Sequence, residues 1–240
     1  MLKRLVIIPT YNEIENISDI ISAIISLPLQ LDILVVDDNS PDGTAKKVKE
    51  LQANFNQVFL EVRNAKNGLG KAYIHGFKWA LDQAYDLIFQ MDADFSHNPK
   101  DLILLNKACE QNNVDLAIGS RYLTGVNVVN WPMKRVLMSW LASKYVKVMT
   151  GLPIEDTTAG FACFKSKVLK EINLDKIKFI GYAFQIEMKY KAYHKGFSVE
   201  EIPIIFTDRT KGTSKMSSKI ITEAVFGIIR MRLTKLFGKL

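Results

Sequence analysis

The sequence predicts an α/β fold in which a mostly parallel, twisted sheet is covered by helices on both faces. Three observations carry that expectation. Short apolar runs alternate with stretches of helical periodicity through the first half of the chain. The runs are near-continuous in their apolar character, as in strands buried on both sides. Acidic residues and glycines collect just after the runs, where open α/β sheets bind ligands.

The elements follow in order. Residues 5–8 read as a first strand, and residues 13–25 as a helix with Ile14, Ile17, Ile21, Ile24 and Ile25 on one face. Residues 32–36 form a second strand, after which Asp42 or Gly43 caps a helix. Val58–Val62, residues 87–91 and residues 116–119 supply further strands, separated by helices over 69–83 and 99–111. The second half is less regular. A helix over 133–149 is stopped by Gly151-Leu152-Pro153, and two short helices and a strand over 199–206 follow. From Lys211 onward, seven basic residues stand against the single acid Glu223, interleaved with apolar positions such as Ile220, Val225, Ile229 and Leu233. This pattern fits a basic amphipathic helix lying on an anionic membrane, and equally one packing on its own domain or a second subunit. The expected division is a catalytic domain over 1–215 and the amphipathic helix over 216–240.

Composition narrows the function. With 48% hydrophobic and 24% charged residues, the chain has the balance of a globular protein. A net charge of +7 favours an acidic partner: nucleic acid, anionic lipid or a phosphorylated substrate. Two cysteines form no disulfide framework and point to a reducing compartment, and three scattered histidines argue against zinc. The first apolar stretch is too short for a signal peptide, and none approaches the ~20 residues a membrane span needs. The expectation is a cytoplasmic protein, soluble or peripheral on a membrane.

Asp92-Ala93-Asp94, at the end of the run Leu87-Ile88-Phe89-Gln90-Met91, is the most informative motif. Carboxylates at i and i+2 leaving a strand project to the same side and repel, so such a pair usually has a cation between them. An oxygen-only site suits Mg²⁺ or Mn²⁺ bridging to substrate phosphates. Asp37 and Asp38 follow an earlier run and bring more acids to the same sheet edge. Paired acids of this kind argue against nucleic acid as the partner, since they would repel its backbone.

Other loops add weaker signals. Asn67-Gly68-Leu69-Gly70-Lys71 is neither a P-loop nor a dinucleotide fingerprint, because Ala65, Ala72 and Tyr73 stand where those motifs need other residues. Taken alone, it serves either as a turn that brings backbone to a ligand or as a loop with none. Tyr11 suits stacking on a base, Asn12 or Glu13 its edge or a ribose, and Asn12 a helix cap. Arg121, at another strand end, suits a bidentate phosphate clamp. Arg135 and Ser139 share a helix face. The loop 208–215, with Arg209, Lys211 and Lys215, suits either a lid over a diphosphate or a solvated basic loop.

Together these segments, with Asp156-Thr-Thr-Ala-Gly160 and Phe184-Gln185-x-Glu187, resemble glycosyltransferase family 2 over about residues 4–215. The nearest likeness is to its dolichyl- and polyprenyl-phosphate mannosyltransferases. The resemblance implies a GT-A fold, a nucleotide-sugar donor, a divalent metal, and inverting transfer to a lipid monophosphate at the cytoplasmic membrane face. It favours GDP-mannose as donor, with a UDP-sugar such as UDP-glucose as the alternative, and leaves room for a membrane-protein partner or a homo-oligomer. By the same resemblance, Asp37 is a base- or ribose-side contact, with Pro9, Tyr11 and Glu13 lining the nucleotide. Asp38, Gly70, Lys71 and Ala93 complete the donor site, Asp92 and Asp94 hold metal and diphosphate, and Arg209 and Lys215 close over the donor. Arg121, Arg135 and Ser139 hold the acceptor phosphate. Ser96 stands where relatives often have a Gln metal ligand, which predicts altered metal affinity.

A lipid monophosphate, with a second pKa around 6, is anionic and nucleophilic near neutral pH and needs no general base. A sugar hydroxyl would need one, and Asp156 is the candidate for that route.

Overall fold

The computed structural model describes residues 2–181, 183–209, 227–229 and 231–232. Chain order is β1 (Arg4–Thr10), α1 (Ile17–Ile25), β2 (Asp32–Asp37), α2 (Thr44–Gln52), β3 (Val58–Val62), α3 (Leu69–Asp82), β4 (Leu87–Gln90), α4 (Asp101–Glu110) and β5 (Leu116–Ser120). Then come β6 (Val128–Val129), α5 (Met133–Thr150), β7 (Ala162–Lys165), α6 (Ser166–Glu171), α7 (Ala183–His194), β8 (Val199–Pro203) and β9 (Phe206–Thr207).

The main sheet is seven-stranded in the order β3-β2-β1-β4-β7-β5-β8. All its pairings are parallel except those of β7, which runs antiparallel between β4 and β5. Because the strands are covered on both faces, successive side chains enter two different cores. Leu5, Ile7, Leu34, Val36 and Ile88 pack with Tyr73 and Phe77 of α3 and Phe184 and Met188 of α7. Val6, Ile8, Ile33, Val35 and Phe89 pack with Ile17, Ile20, Ile21 and Ile24 of α1 and Leu102 and Leu105 of α4. This accounts for the near-continuous apolar strands.

Several boundaries differ from the sequence reading. The helix expected from residue 13 starts at Ile17, because Asn12 takes a left-handed φ of 58° and Glu13 O accepts the N–H groups of Asn16 and Ile17 in a turn. The strand expected over 199–206 is two: Pro203 ends β8, and Phe206–Thr207 pairs with Val128–Val129 in a separate two-stranded sheet. β7 was not anticipated, although it sits in the middle of the main sheet.

Most of the expected C-terminal helix, and the domain boundary at 215/216, lie outside the described residues. Within the described part, Ile228 and Met231 are buried in the α3–α7 core, and Arg232 Nη1 donates to Met149 O at 2.8 Å.

Candidate active site

Sheet order reverses between β1 and β4, a topological switch point at which open α/β sheets form a ligand crevice. Asp92 and Asp94 follow β4 there, facing Glu13 beyond β1. Burial, the neighbouring Asp94 carboxylate and Glu13 raise Asp92 to about 7, with Arg209 and Arg121 opposing. Asp94 is buried and takes the backbone N–H of Ser96 at 3.1 Å and the Arg209 guanidinium at 3.2 Å. Beneath them the phenol of Tyr73 is fully buried, and burial together with Asp92 and Asp94 pushes its pKa well above the ordinary value. Ala93 is buried between the two acids, and Ser96 is buried beyond them. The described residues hold no group of three or more His, Cys, Asp or Glu placed for a metal. Asp92 and Asp94 are thus a two-carboxylate pair and not part of a larger ligand cluster among the described residues.

The loops after β1 and β2 form the next wall. Asp37 is fully buried and accepts Thr10 Oγ1 at 2.7 Å, Ser40 N at 2.8 Å and Ser40 Oγ at 2.6 Å. Its carboxylate ties the ends of two strands together, so the base or ribose contact expected of it competes with three donors already in place. Asp38 pairs with Arg63 at 2.8 Å; burial raises its pKa, with Arg63 opposing. Tyr11 lies under the Lys66 ammonium, 4.2 Å from the ring centroid, and Pro9 is half-buried beside it.

The glycine turn serves the protein's own backbone. A Cβ on Gly70 would come within 2.9 Å of Phe179 O and of Phe184 Cβ, and Gly70 N–H donates to Ile180 O at 2.8 Å. Gly68, at φ 96°, would meet Ile180 O at the same distance of 2.9 Å. The close approach that demands glycine is to the segment before α7. Lys71 is exposed on the first turn of α3, and Lys215 lies outside the described residues.

The opposite wall holds the remaining cations. Arg121, at the end of β5, makes a bidentate pair with Asp156: Nε to Oδ2 at 2.6 Å and Nη2 to Oδ1 at 2.7 Å, with Nη2 also donating to Thr158 Oγ1 at 2.9 Å. Asp156 is fully buried; against the upward pull of burial, the Arg121 guanidinium holds its pKa below the ordinary carboxylate value. Behind this pair, Lys189 of α7 donates to Thr157 O at 3.1 Å and Ala159 O at 2.5 Å, and burial lowers its pKa to about 7 against the pull of Asp156. Arg135 of α5 pairs with Asp208 at 2.9 Å and sits 3.9 Å from the Trp131 ring centroid. Ser139, one turn further along α5, lies beside Tyr122. His97 is buried and stacks on Phe161 at 4.9 Å; burial lowers its pKa to about 4, which makes it a neutral ring in the wall.

The crevice therefore combines two crowded carboxylates with arginines at its rim, an arrangement suited to a divalent cation and the phosphates of two substrates. Tyr73, Trp131, Lys189 and Asp208 were not anticipated. Asp208 adjoins the flagged Arg209, and Trp131 precedes the helix that carries Arg135, so sequence proximity held a signal for both. Tyr73 and Lys189 read as ordinary helix residues.

Residues 5–173 match the family described as Glycosyl transferase family 2. The polyprenol monophosphomannose synthase of Mycolicibacterium smegmatis is 44% identical over 241 residues, covering 98% of this chain and 91% of that protein. The undecaprenyl-phosphate mannosyltransferase of Micrococcus luteus is 42% identical over 229 residues, covering 95% and 93%. Among solved structures, glucosyl-3-phosphoglycerate synthase of Mycobacterium tuberculosis, with Mn²⁺, UDP and its product, aligns with a TM-score of 0.62 at 15% identity, covering 99% of this chain and 80% of that one. A mannosyltransferase of Pyrobaculum calidifontis, in complex with GDP-Man and Mn²⁺, aligns with a TM-score of 0.61 at 14% identity, covering 99% and 65%. At these identities the structural matches establish the shared fold.

Proposed function

The chain belongs to glycosyltransferase family 2, and from that footing we propose that it moves mannose from GDP-mannose to a polyprenyl monophosphate, with inversion. The observation that carries this reading is the identity of 44% and 42%, over nearly the whole chain, to two proteins named for mannosyl transfer to polyprenyl carriers.

The site's chemistry supports it. Asp92 and Asp94 are an oxygen-only pair whose crowding favours a bound hard cation, and they would hold Mg²⁺ or Mn²⁺. When bound, that cation offsets the negative charge on the leaving diphosphate. Arg209, already against Asp94, is placed to follow the donor phosphates into the crevice. Arg135 and Ser139 face the same crevice from α5 and receive the acceptor phosphate in this reading. Attack by a phosphate oxygen opposite the diphosphate needs no proton removed, since a monophosphate is ionised near neutral pH.

The competing route, transfer to a sugar hydroxyl, needs a base. Asp156 is poorly suited to that role, being fully buried in a bidentate pair with Arg121. An acceptor of polyprenyl type also gives the protein a peripheral place on a membrane, on the cytoplasmic face in this reading. No described helix is long and apolar enough to cross a bilayer.

The test is a thermal-shift panel of GDP- and UDP-sugars with and without Mn²⁺, followed by transfer assays on polyprenyl phosphate and polyprenyl alcohol. Stabilisation by GDP-mannose plus metal, and product with the phosphate alone, are expected. Stabilisation by UDP-sugars alone would reassign the donor, and product with the alcohol would overturn the phosphate mechanism.

A further inference from the structure

Arg135 stands between two partners of different kinds. On one side its Nη1 donates to Asp208 Oδ1 at 2.9 Å. On the other, its guanidinium carbon lies 3.9 Å from the centroid of the Trp131 ring, inside the ~6 Å over which an aromatic face attracts a cation. The chain brings the three together with little freedom. Trp131 precedes Pro132, the cap of α5, and Pro132 O accepts the Arg135 N–H at 2.8 Å in the first turn of the helix. Asp208 follows β9, and its N–H donates to Val129 O of β6 at 3.0 Å. The small β6–β9 sheet thus delivers one partner of Arg135 just beyond the end of each strand.

The Trp131 ring is braced from the core. It packs against Phe206 at 5.1 Å and 69°, Phe206 packs against His97 at 5.3 Å and 82°, and His97 stacks on the fully buried Phe161. This column of rings ends on the Arg135 guanidinium. Trp131 Nε1 is buried and has no hydrogen-bond partner among the described residues. An unpaired buried N–H is costly, so a phenyl or aliphatic side chain would fill the same place more cheaply. What the indole adds is its face, which attracts a guanidinium more strongly than that of Phe or Tyr. The two partners also differ in what a phosphate does to them. Asp208 is an anion and competes with phosphate for the guanidinium, whereas the ring is neutral and keeps its hold whichever anion is bound.

We propose that Trp131 is a positioning residue for Arg135, the fixed partner that keeps the guanidinium in place while Asp208 gives way to the acceptor phosphate. The exchange of anions rests on the lipid-phosphate reading above; the hold of the ring on Arg135 does not.

The hold is read by nuclear magnetic resonance on full-length protein with isotope-labelled arginine, the Arg135 side-chain signal being the one that Arg135→Lys removes. Ring current should displace this signal in wild type and in Asp208→Asn, and Trp131→Leu should return it to the position of a solvated arginine. A signal already at that position in Asp208→Asn overturns the proposal, since the carboxylate and not the ring would then do the holding. Binding of a short, water-soluble prenyl monophosphate should weaken roughly 2- to 30-fold in Trp131→Leu and less in Trp131→Phe, with donor affinity unchanged. Fluorinated tryptophans keep the ring's shape, so they decide the matter even where Trp131→Leu loosens the loop. Each added fluorine should weaken phosphate binding in wild type and leave Trp131→Phe, which retains Trp79 and Trp140, unaffected. Fluorine weakens the face of the ring but strengthens its N–H as a donor. Binding that tightens with fluorine would therefore assign the N–H to the phosphate and overturn the proposal, as would equal binding by Trp131→Leu and wild type. A wild type that keeps the displaced Arg135 signal but binds no prenyl monophosphate counts against the proposed function alone.

Discussion

Replacing Asp92 with Asn removes one of two carboxylates that crowd each other, and it should stabilise the metal-free protein while abolishing transfer. Burial and Asp94 raise Asp92 from 3.8 to about 7, which sets an upper limit of roughly 4 kcal/mol on the cost of keeping it ionised in the folded state. Asp92 lies at a part-exposed rim, so water reduces the cost to about 1–2 kcal/mol; the opposing pull of Arg209 is already contained in the value of about 7. For a domain of this size that corresponds to about 2–8 °C in Tm. The sign follows from the direction of the shift. An acid whose folded pKa lies above its unfolded one takes up a proton on folding between 3.8 and about 7. The penalty is absent below the lower value, grows through the window and is complete above the upper one.

Asp92→Asn should therefore exceed wild type in Tm, measured by thermal unfolding in EDTA, by more at about pH 8 than at about pH 5. Mn²⁺ with GDP should raise the wild-type Tm and leave the variant where it was, since ligand binding stabilises only a protein that binds it. A variant no more stable than wild type at the higher pH, or a gap that does not widen with pH, would refute the account of Asp92 as a carboxylate held ionised against its surroundings.

Arg135→Ala should lower kcat/KM for the acceptor roughly ten- to a hundred-fold, the loss of a charge-assisted bond of ~1.5–3 kcal/mol, and leave the donor KM unchanged. Asp156→Asn should cost about 3–5 kcal/mol in urea unfolding, because it leaves the Arg121 guanidinium buried without its counter-charge, and the surviving folded protein should keep the wild-type pH profile. Loss of the acidic limb of that profile would restore Asp156 as a base. Lys189 should make stability rise with pH: its folded pKa is lowered from 10.5 to about 7, so the unfolded chain binds the extra proton across that window and its burial cost is relieved toward the upper end. Lys189→Met should flatten that slope in urea unfolding followed from about pH 7 to about pH 10.

The parts of this molecule that were legible in the sequence are those whose cause is local. β1, β2 and β4 read as buried parallel strands because the helices above and below make every position apolar. Asp92 and Asp94 read as a crowded carboxylate pair because a strand end places i and i+2 on one side. The parts that were not legible depend on partners distant in the chain. Gly68 and Gly70 resembled a ligand loop, but the backbone they admit is that of residues 179–180, more than a hundred positions later. β7 is four residues long and differs little from a loop until it is flanked by β4 and β5. Arg121 and Asp156 each looked like a group awaiting substrate; only the folded chain shows that they hold one another.

That pairing extends to every arginine proposed for phosphate, and the pairs are graded. In Arg121–Asp156 the two side chains are 10% and 0% exposed, in Arg209–Asp94 23% and 7%, and in Arg135–Asp208 34% and 26%. A part-exposed pair is worth about 0–1 kcal/mol, so a phosphate can replace the carboxylate at little cost. Breaking a buried bidentate pair costs several times more, about 3–5 kcal/mol. On the proposed reading, Arg135 and Arg209 are thus the cations that change partners when substrates arrive. Arg121 would on this argument keep its carboxylate and meet the acceptor phosphate, if at all, from a fixed position in the wall beside Thr158 and the ring of Trp131. On the same reading Arg209 would also couple the two halves of the site. A cation held by Asp92 and Asp94 would compete with the guanidinium for the Asp94 carboxylate, and on the proposed reading would leave Arg209 available to the incoming diphosphate. Metal and donor should on this argument bind with positive cooperativity, and Arg209→Ala should remove the coupling while leaving metal binding alone intact or tighter.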